Sequence, residues 1–263
     1  MKSADRKRVP LSLVVIVKNS ASSLRRCLES ASFVNEILVV DSGSTDETIA
    51  IAQECGARVL YQEWLGFGPQ KKFAVNQATN DWVLCLDADE YLSDKLQREI
   101  FRVFQGEPTH EAYRFARCNL FLGRFLRHGE GYPDWSLRLF NRRSANWTEE
   151  LVHEKVSGTQ GWLDVGTISG DLMHESCESI ARYIEKQNNY TSIQASQILA
   201  SGQSVSKVKI LFSPIVRFVK YYLLKLGFLD GFPGLVHISI GCFCVFLKYA
   251  KASLEKRTKN SSQ

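Results

Sequence analysis

The sequence predicts an α/β fold: an open, mostly parallel β-sheet with helices on both faces, followed by a helical C-terminal region. Three observations carry this. Short, β-branched apolar runs alternate with segments of helical spacing through the first third of the chain. Two of those runs end abruptly on an aspartate. Beyond Ser179 the alternation gives way to longer apolar segments that carry lysine and arginine.

The elements follow in order. Leu11–Val17 is a continuous apolar run, which suits a strand covered on both faces. Ser20–Ser32 has helical spacing at Leu24, Cys27, Leu28 and Ala31. Glu36–Val40 is a second buried strand that stops at Asp41. Ser44 followed by Glu47 reads as a capped helix start, and that helix should end at Gly56. Arg58–Tyr61 is a third strand, Gln70–Ala78 a helix, and Trp82–Leu86 a fourth strand stopping at Asp87. A helix is expected over Asp94–Phe104. Tyr113–Cys118 and Leu137–Asn141 read as strands, antiparallel and separated by a Gly/aromatic loop. Ser179–Ala200 is a helix. The tail offers two more apolar segments, Ile210–Leu226 and Leu235–Leu247.

Composition narrows the class. With 263 residues, 44% hydrophobic and 23% charged, the chain is long enough for one large domain plus an appendage, and its composition is that of a folded protein. The net charge of +5 is uneven: from Val205 onward ten Lys/Arg face two acidic residues, which leaves the remainder slightly acidic. An anionic partner is therefore expected for the tail alone. Nucleic-acid binding is disfavoured, because this basic excess sits on apolar helices without a polar base-reading surface. The 7 cysteines show no CxxC spacing and several lie in apolar runs, which points to a reducing compartment rather than a disulfide framework or zinc site. The N-terminal stretch MKSADRKRVPLSLVVIVKN mimics a signal peptide, but its apolar run ends at Lys18 without a cleavage site and reads as a strand.

Leu86-Asp87-Ala88-Asp89-Glu90 carries the strongest chemistry. Two carboxylates two residues apart, just past a buried strand, suit a hard divalent ion, Mg²⁺ or Mn²⁺, held against a diphosphate. The plainer reading is that Asp89-Glu90 opens a helix, where acids suit the dipole. Asp41, also at a strand end, could accept hydrogen bonds from a nucleobase. Asp46 and Thr48 read as ordinary turn and helix-start residues. In an open parallel sheet the ligand lies beyond the carboxyl ends of the strands, so Asp41 and Asp87 should share one crevice.

LSLVVIVKN, VVDSGSTDET and VLCLDADE, in this order, resemble glycosyltransferase family 2, with its Rossmann-like GT-A fold. WLGFGPQKKFA, PDWSLRLF, ELVHEKV and GFLDGFPG are similar to a narrower group, the lipopolysaccharide-core glucosyltransferases of the WaaE/KdtX type. The resemblance implies an inverting, metal-dependent transferase that moves a hexose, glucose from UDP-glucose, to a membrane-anchored glycolipid acceptor, the lipopolysaccharide inner core. It implies that Lys18, Asn19, Asp41, Lys71 and Asp87 meet the sugar nucleotide, with Lys72 competing for the role of Lys71. Asp89, with Asp87 and a late histidine, His174, would hold the metal, although a histidine packed at a helix start explains His174 as well. An inverting transfer needs one general base. The resemblance places it among the acids near Trp147: Glu150 first, Glu154 second, with Glu149 open and His153 as an orienting group. A solvated acidic turn is the competing reading. Trp135 and Arg138 would line the acceptor side, unless Trp135 is core.

The expected organisation is a catalytic domain over 1–176 and a helical, membrane-associating region over 177–263. Neither tail segment reaches the roughly 18–20 uncharged residues that span a bilayer, so an interfacial basic amphipathic helix is expected, on the cytoplasmic face of the bacterial inner membrane. The alternative is helices packed on the catalytic domain or another subunit. Other functions weighed are transfer to polyprenyl phosphate or a peptide cysteine, and a nucleotide-sugar-binding protein without catalysis.

Overall fold

The structure is a computed structural model and describes residues 8–150, 154–176, 179–203 and 205–261, with side chains to Leu254. The chain divides into two compact units: Met1–Arg117 with Asp134–Glu175, and Cys118–Pro133 with Ser176–Gln263.

The first unit begins with β1 (Val9–Val17), α1 (Ala21–Ser30), β2 (Val34–Asp41), α2 (Thr48–Glu54), β3 (Arg58–Tyr61), α3 (Phe67–Asn76) and β4 (Trp82–Asp87). β1 lies between β2 and β4, and β3 flanks β2, all parallel. The β-branched run of β1 is buried on both faces, as a central parallel strand requires. Its register shifts between Val9 and Ser12, where Pro10 has no N–H to give the ladder. In this register Val17 faces Asp41 and Ile16 faces Asp87, so both aspartates leave the sheet at the same edge.

The chain then adds an antiparallel half. β5 (Glu90–Leu92), α4 (Asp94–Val103), β6 (Ala112–Phe121), β7 (Arg124–Phe125), β8 (Asp134–Asn141), β9 (Ala145–Trp147), β10 (Val156–Gly158) and β11 (Val165–His174) follow. The sheet order is β3-β2-β1-β4-β8-β6-β11-β5, with β9 and β10 as a separate hairpin. β8 joins β4 antiparallel, and β11 joins β5 antiparallel with His174 opposite Glu90. Two apolar clusters cover the sheet, one around Leu24, Leu28, Leu96 and Phe115, the other around Ala74, Val83, Phe140 and Trp147.

Several expectations change here. Ser44 is not the cap of α2: the helix starts at Thr48, and the Ser44 hydroxyl accepts the Asn19 N–H at 2.9 Å. Asp46 instead serves two helix starts, accepting from Thr48 N at 3.0 Å and Ala21 N at 3.2 Å. Glu90 opens a strand, not a helix. β11 escapes a sequence reading because its buried positions, Gly166, Ile168, Leu172 and Met173, include a glycine and alternate with polar residues.

The second unit is helical apart from β7 and the end of β6. It contains α5 (Ile180–Ala200), α6 (Lys207–Phe218), a π-helical turn (Val219–Leu224), a 3₁₀ turn (Gly227–Asp230) and α7 (Gly231–Ser261). The apolar segment expected to end at Leu247 continues as one helix. Gly227–Leu254, with mean hydropathy 1.6, is long and apolar enough by composition to cross a membrane, which corrects the expectation that neither tail segment is. In the GFLDGFPG segment, Asp230 is 2% exposed and accepts the N–H groups of Arg127 and His128 at 2.9 and 2.8 Å, tying down the 118–133 loop.

Candidate active site

The Asp41 turn is closed upon itself. The side chain is 2% exposed, and its oxygens accept from Gly43 N at 2.9 Å and Ser44 N at 3.1 Å. Gly43 sits at φ 90°, a conformation that a side chain would strain. Asn19, at φ 52°, locks the β1 loop to this turn by accepting Thr45 N at 2.8 Å, while Lys18 is exposed. Buried Gln70 of α3 donates to Ser42 Oγ at 3.0 Å and to Gln62 O at 3.3 Å. Gln70 lacked a sequence signal because nothing in one helix reveals which loops its side chain reaches.

At the end of β4, Asp87 sits between two cations. Lys71 Nζ lies 3.0 Å from Oδ1 and Arg138 NH2 lies 2.7 Å from Oδ2. Burial disfavours the charged form, but Arg138 and Lys71 outweigh it and hold the Asp87 carboxyl well below the usual carboxylate range. Arg138, expected on the acceptor side, turns its guanidinium onto the carboxylates of Asp87 and Glu90. It is 7% exposed and bridges Asp87 to Glu90, whose Oε1 it meets at 2.8 Å. Glu90, fully buried, also accepts the Asp87 N–H at 3.0 Å and faces Arg117 at 3.4 Å. Arg117 in turn donates to Asp134 at 2.7 Å. Glu90 and Arg117 are site residues that the sequence reading missed, since the antiparallel half alone brings them to Asp87. Asp89 is more open: its Oδ2 lies 3.4 Å from His174 Nε2, a pairing made by the β5–β11 ladder.

The acidic segment after β9 divides its three carboxylates. Glu149 faces Lys72 at 2.6 Å and Glu154 faces Lys71 at 3.0 Å. Lys72 therefore reaches Glu149, and Lys71 is the lysine at Asp87. Glu150 is exposed and has no ammonium partner among the described residues. The backbone of this segment rests on α3 at Gly68, where an added Cβ would stand 2.4 Å from Thr148 O and 2.6 Å from Glu150 O. His153 lies outside the described residues. Trp135 is not core: it is 48% exposed, with the Arg114 guanidinium 5.0 Å over its ring.

The family model for glycosyl transferase family 2 matches residues 12–161, which contain both aspartate turns and the three glutamates. The chain belongs to glycosyl transferase family 2. It is 32% identical to an uncharacterized glycosyltransferase of Rickettsia typhi, over 92% of this chain and 86% of that protein. It is also 29% identical to the lipopolysaccharide core biosynthesis glycosyltransferase LpsC of Rhizobium meliloti, over 93% and 92%. Among solved structures, S. aureus TarS in complex with UDP-GlcNAc is 12% identical, covers 96% of this chain and 92% of its own, and superposes with a TM-score of 0.48. The chain is a glycosyltransferase with a GT-A-type fold.

As a family 2 site, the cleft has a definite charge balance. Lys71, Arg117 and Arg138 face Asp87, Glu90, Asp134 and Glu154, while Asp89 faces His174. Among the described residues no three His, Cys, Asp or Glu side chains form a complete metal cage. One carboxylate and one imidazole, Asp89 and His174, fit an ion that completes its shell from phosphate and water.

Proposed function

We propose that this glycosyltransferase moves glucose from UDP-glucose, with inversion, onto the inner core of lipopolysaccharide at the cytoplasmic face of the inner membrane. The observation that carries the reading is the division of labour at the β4 end. Asp87 is clamped by Lys71 and Arg138 while Asp89 stays open beside His174. In this reading Asp89 and His174 hold Mg²⁺ or Mn²⁺, which when bound offsets the charge gathering on the departing nucleotide. Asp41, its turn fixed by Gly43 and Ser44, contacts the nucleobase, with Lys18 and Asn19 beside it. Asp87 is kept ionised and in place to meet the ribose. Glu150 takes the proton of the acceptor hydroxyl as that oxygen attacks the anomeric carbon; among the described residues its carboxylate meets no ammonium, unlike those of Glu149 and Glu154. Trp135, exposed, offers an aromatic face to an acceptor sugar.

The lipid acceptor is supported by the helical unit. Leu211, Phe212, Ile215, Val216 and Leu224 are each more than half exposed, and Lys207, Lys209, Lys220 and Lys225 lie on the same segment. Apolar side chains interleaved with lysines suit an anionic bilayer surface. The kinship to LpsC, named for lipopolysaccharide core biosynthesis, points the same way.

The test is UDP release from UDP-glucose with a heptose-terminated core acceptor, with and without EDTA, for wild type and Asp89→Ala. Both EDTA and the substitution are expected to lower turnover at least 100-fold, in line with the several kcal/mol a metal Lewis acid supplies. Undiminished turnover in Asp89→Ala removes the metal assignment. Undiminished turnover in Glu150→Gln would favour a phosphate acceptor, which needs no strong base.

A further inference from the structure

Ser42, the residue after Asp41, is 7% exposed, and its N–H donates to Val17 O at 3.0 Å across the sheet edge. Its hydroxyl oxygen accepts from Gln70 Nε2 at 3.0 Å. Two backbone groups fix the direction of that bond. The Leu65 N–H can only donate, and it meets Gln70 Oε1 at 3.3 Å; Gln62 O can only accept, and it meets Gln70 Nε2 at 3.3 Å. The Gln70 amide therefore cannot be turned over, and its two N–H bonds go to Gln62 O and Ser42 Oγ. Ser42 Oγ is the acceptor, so its own proton points away from Gln70. Among the described residues no protein atom accepts that proton. A hydroxyl this deep ordinarily has its proton matched.

We propose that the Ser42 hydroxyl donates a hydrogen bond to a carbonyl oxygen of the donor's nucleobase, and that Gln70 is the positioning residue that aims it. The inference rests on the reading of the Asp41 turn as the nucleobase site. Place supports it: Ser42 stands one residue past the end of β2, where an open parallel sheet binds its ligands. Charge supports a base over a phosphate. The groups that hold Ser42 Oγ are an amide and backbone, and the preceding residue is the buried Asp41 carboxylate, which repels a phosphate oxygen. Polarity selects the atom: the free proton needs an acceptor, which a base carbonyl supplies and an exocyclic amine does not. Gln70 also precedes Lys71, so adjacent residues of α3 hold the Asp41 turn and the Asp87 carboxylate.

The experiment titrates the full chain with UDP, 2-thio-UDP, 4-thio-UDP and inorganic pyrophosphate by calorimetry, in one Mn²⁺ buffer. Ser42→Ala should weaken UDP about 3- to 10-fold, the worth of one neutral hydrogen bond, and leave pyrophosphate affinity as it is. One of the two thio analogues should bind wild type and Ser42→Ala alike, because a thiocarbonyl accepts poorly, and the position of its sulfur identifies the carbonyl. Gln70→Glu puts an acceptor where the NH2 group was, which draws the Ser42 proton away from the ligand. It should weaken UDP at least as much as Ser42→Ala, and Ser42→Ala added to it should cost nothing more. A merely structural role for Gln70 would weaken pyrophosphate too, and its effect would add to that of Ser42→Ala. If Gln70→Glu does not fold, Gln70→Met removes the aim instead, and Ser42→Ala should cost less in that background than in wild type. Unchanged UDP affinity in Ser42→Ala, or a loss that persists with both thio analogues, would overturn the proposal. A wild type that binds pyrophosphate but not UDP would remove the nucleobase reading itself, and the proposal with it.

Discussion

At the Asp87 end of the site both carboxylate oxygens meet a cation, and the residues behind them, Glu90 and Arg138, are sealed from water. At the Glu149–Glu150 end both side chains stand in solvent, and a surface lysine reaches one of them. The first arrangement is rigid because a buried charge must be matched or it is expelled. The second leaves Glu150 without a lysine to hold its carboxylate among the described residues, while the first fixes both oxygens of Asp87 in place. A transferase that must hold an anionic donor and deprotonate a neutral acceptor needs one end of each kind.

Removing the clamp should have the largest effect. Arg138→Met leaves Glu90 and Asp87 without their shared cation and should cost about 3–5 kcal/mol of stability, read from the urea midpoint. A loss under about 1 kcal/mol would show that the network is not the rigid end. Glu150→Gln should next lower kcat by roughly 10²–10⁴-fold with little change in stability or UDP affinity, while Glu149→Gln changes kcat less than about threefold. Equal losses in the two variants would erase the distinction between the glutamates.

Gly68→Ala tests how the open end is aimed. Its Cβ would collide with two backbone carbonyls, so the Thr148–Glu150 segment must shift. A stability loss of about 1–3 kcal/mol should accompany a fall in kcat of about 10²-fold, because small misplacements of a reacting group are costly. The acid limb of stability offers a smaller, continuous probe. The folded-state pKa of Asp87 lies below its unfolded value, so its contribution is complete above about pH 4 and is lost as pH falls below that. Asp87→Asn should flatten that limb in thermal melts taken between pH 5 and 2. The smallest effect is expected for Lys72→Gln. An exposed pair contributes about 0–1 kcal/mol, and high salt should mask even that.

The parallel half of the site was legible in the sequence. The apolar runs ending at Asp41 and Asp87 mark strand ends, and parallel pairing in one register must bring such ends to one edge. The antiparallel half was not. β11 carries Gly166 and Gly170 and alternates polar with apolar residues, so its hydrophobic signal is weak and β5 could not be read from it, while His174 was set beside Asp89 only by the family resemblance. Arg138 shows the same limit. Its strand, β8, was foreseen, but its side chain was expected to face the acceptor, and only the β4–β8 pairing turns it onto Asp87 and Glu90. The tail was misjudged for a related reason: the apolar segment was bounded at Leu235 and Leu247, yet α7 runs from Gly231 to Ser261 as one helix.

By itself, then, the sequence determined the class of the fold, the family, and the two strand ends marked by Asp41 and Asp87, because local periodicity and chain order are written residue by residue. Tertiary structure alone decided which charges meet. It set Lys71 and Arg138 on Asp87, gave Glu154 and Glu149 their lysines, and left Glu150 without one among the described residues. Those choices depend on distances of about 3 Å between residues up to 83 positions apart, and Coulomb energy follows distance in space, not separation along the chain.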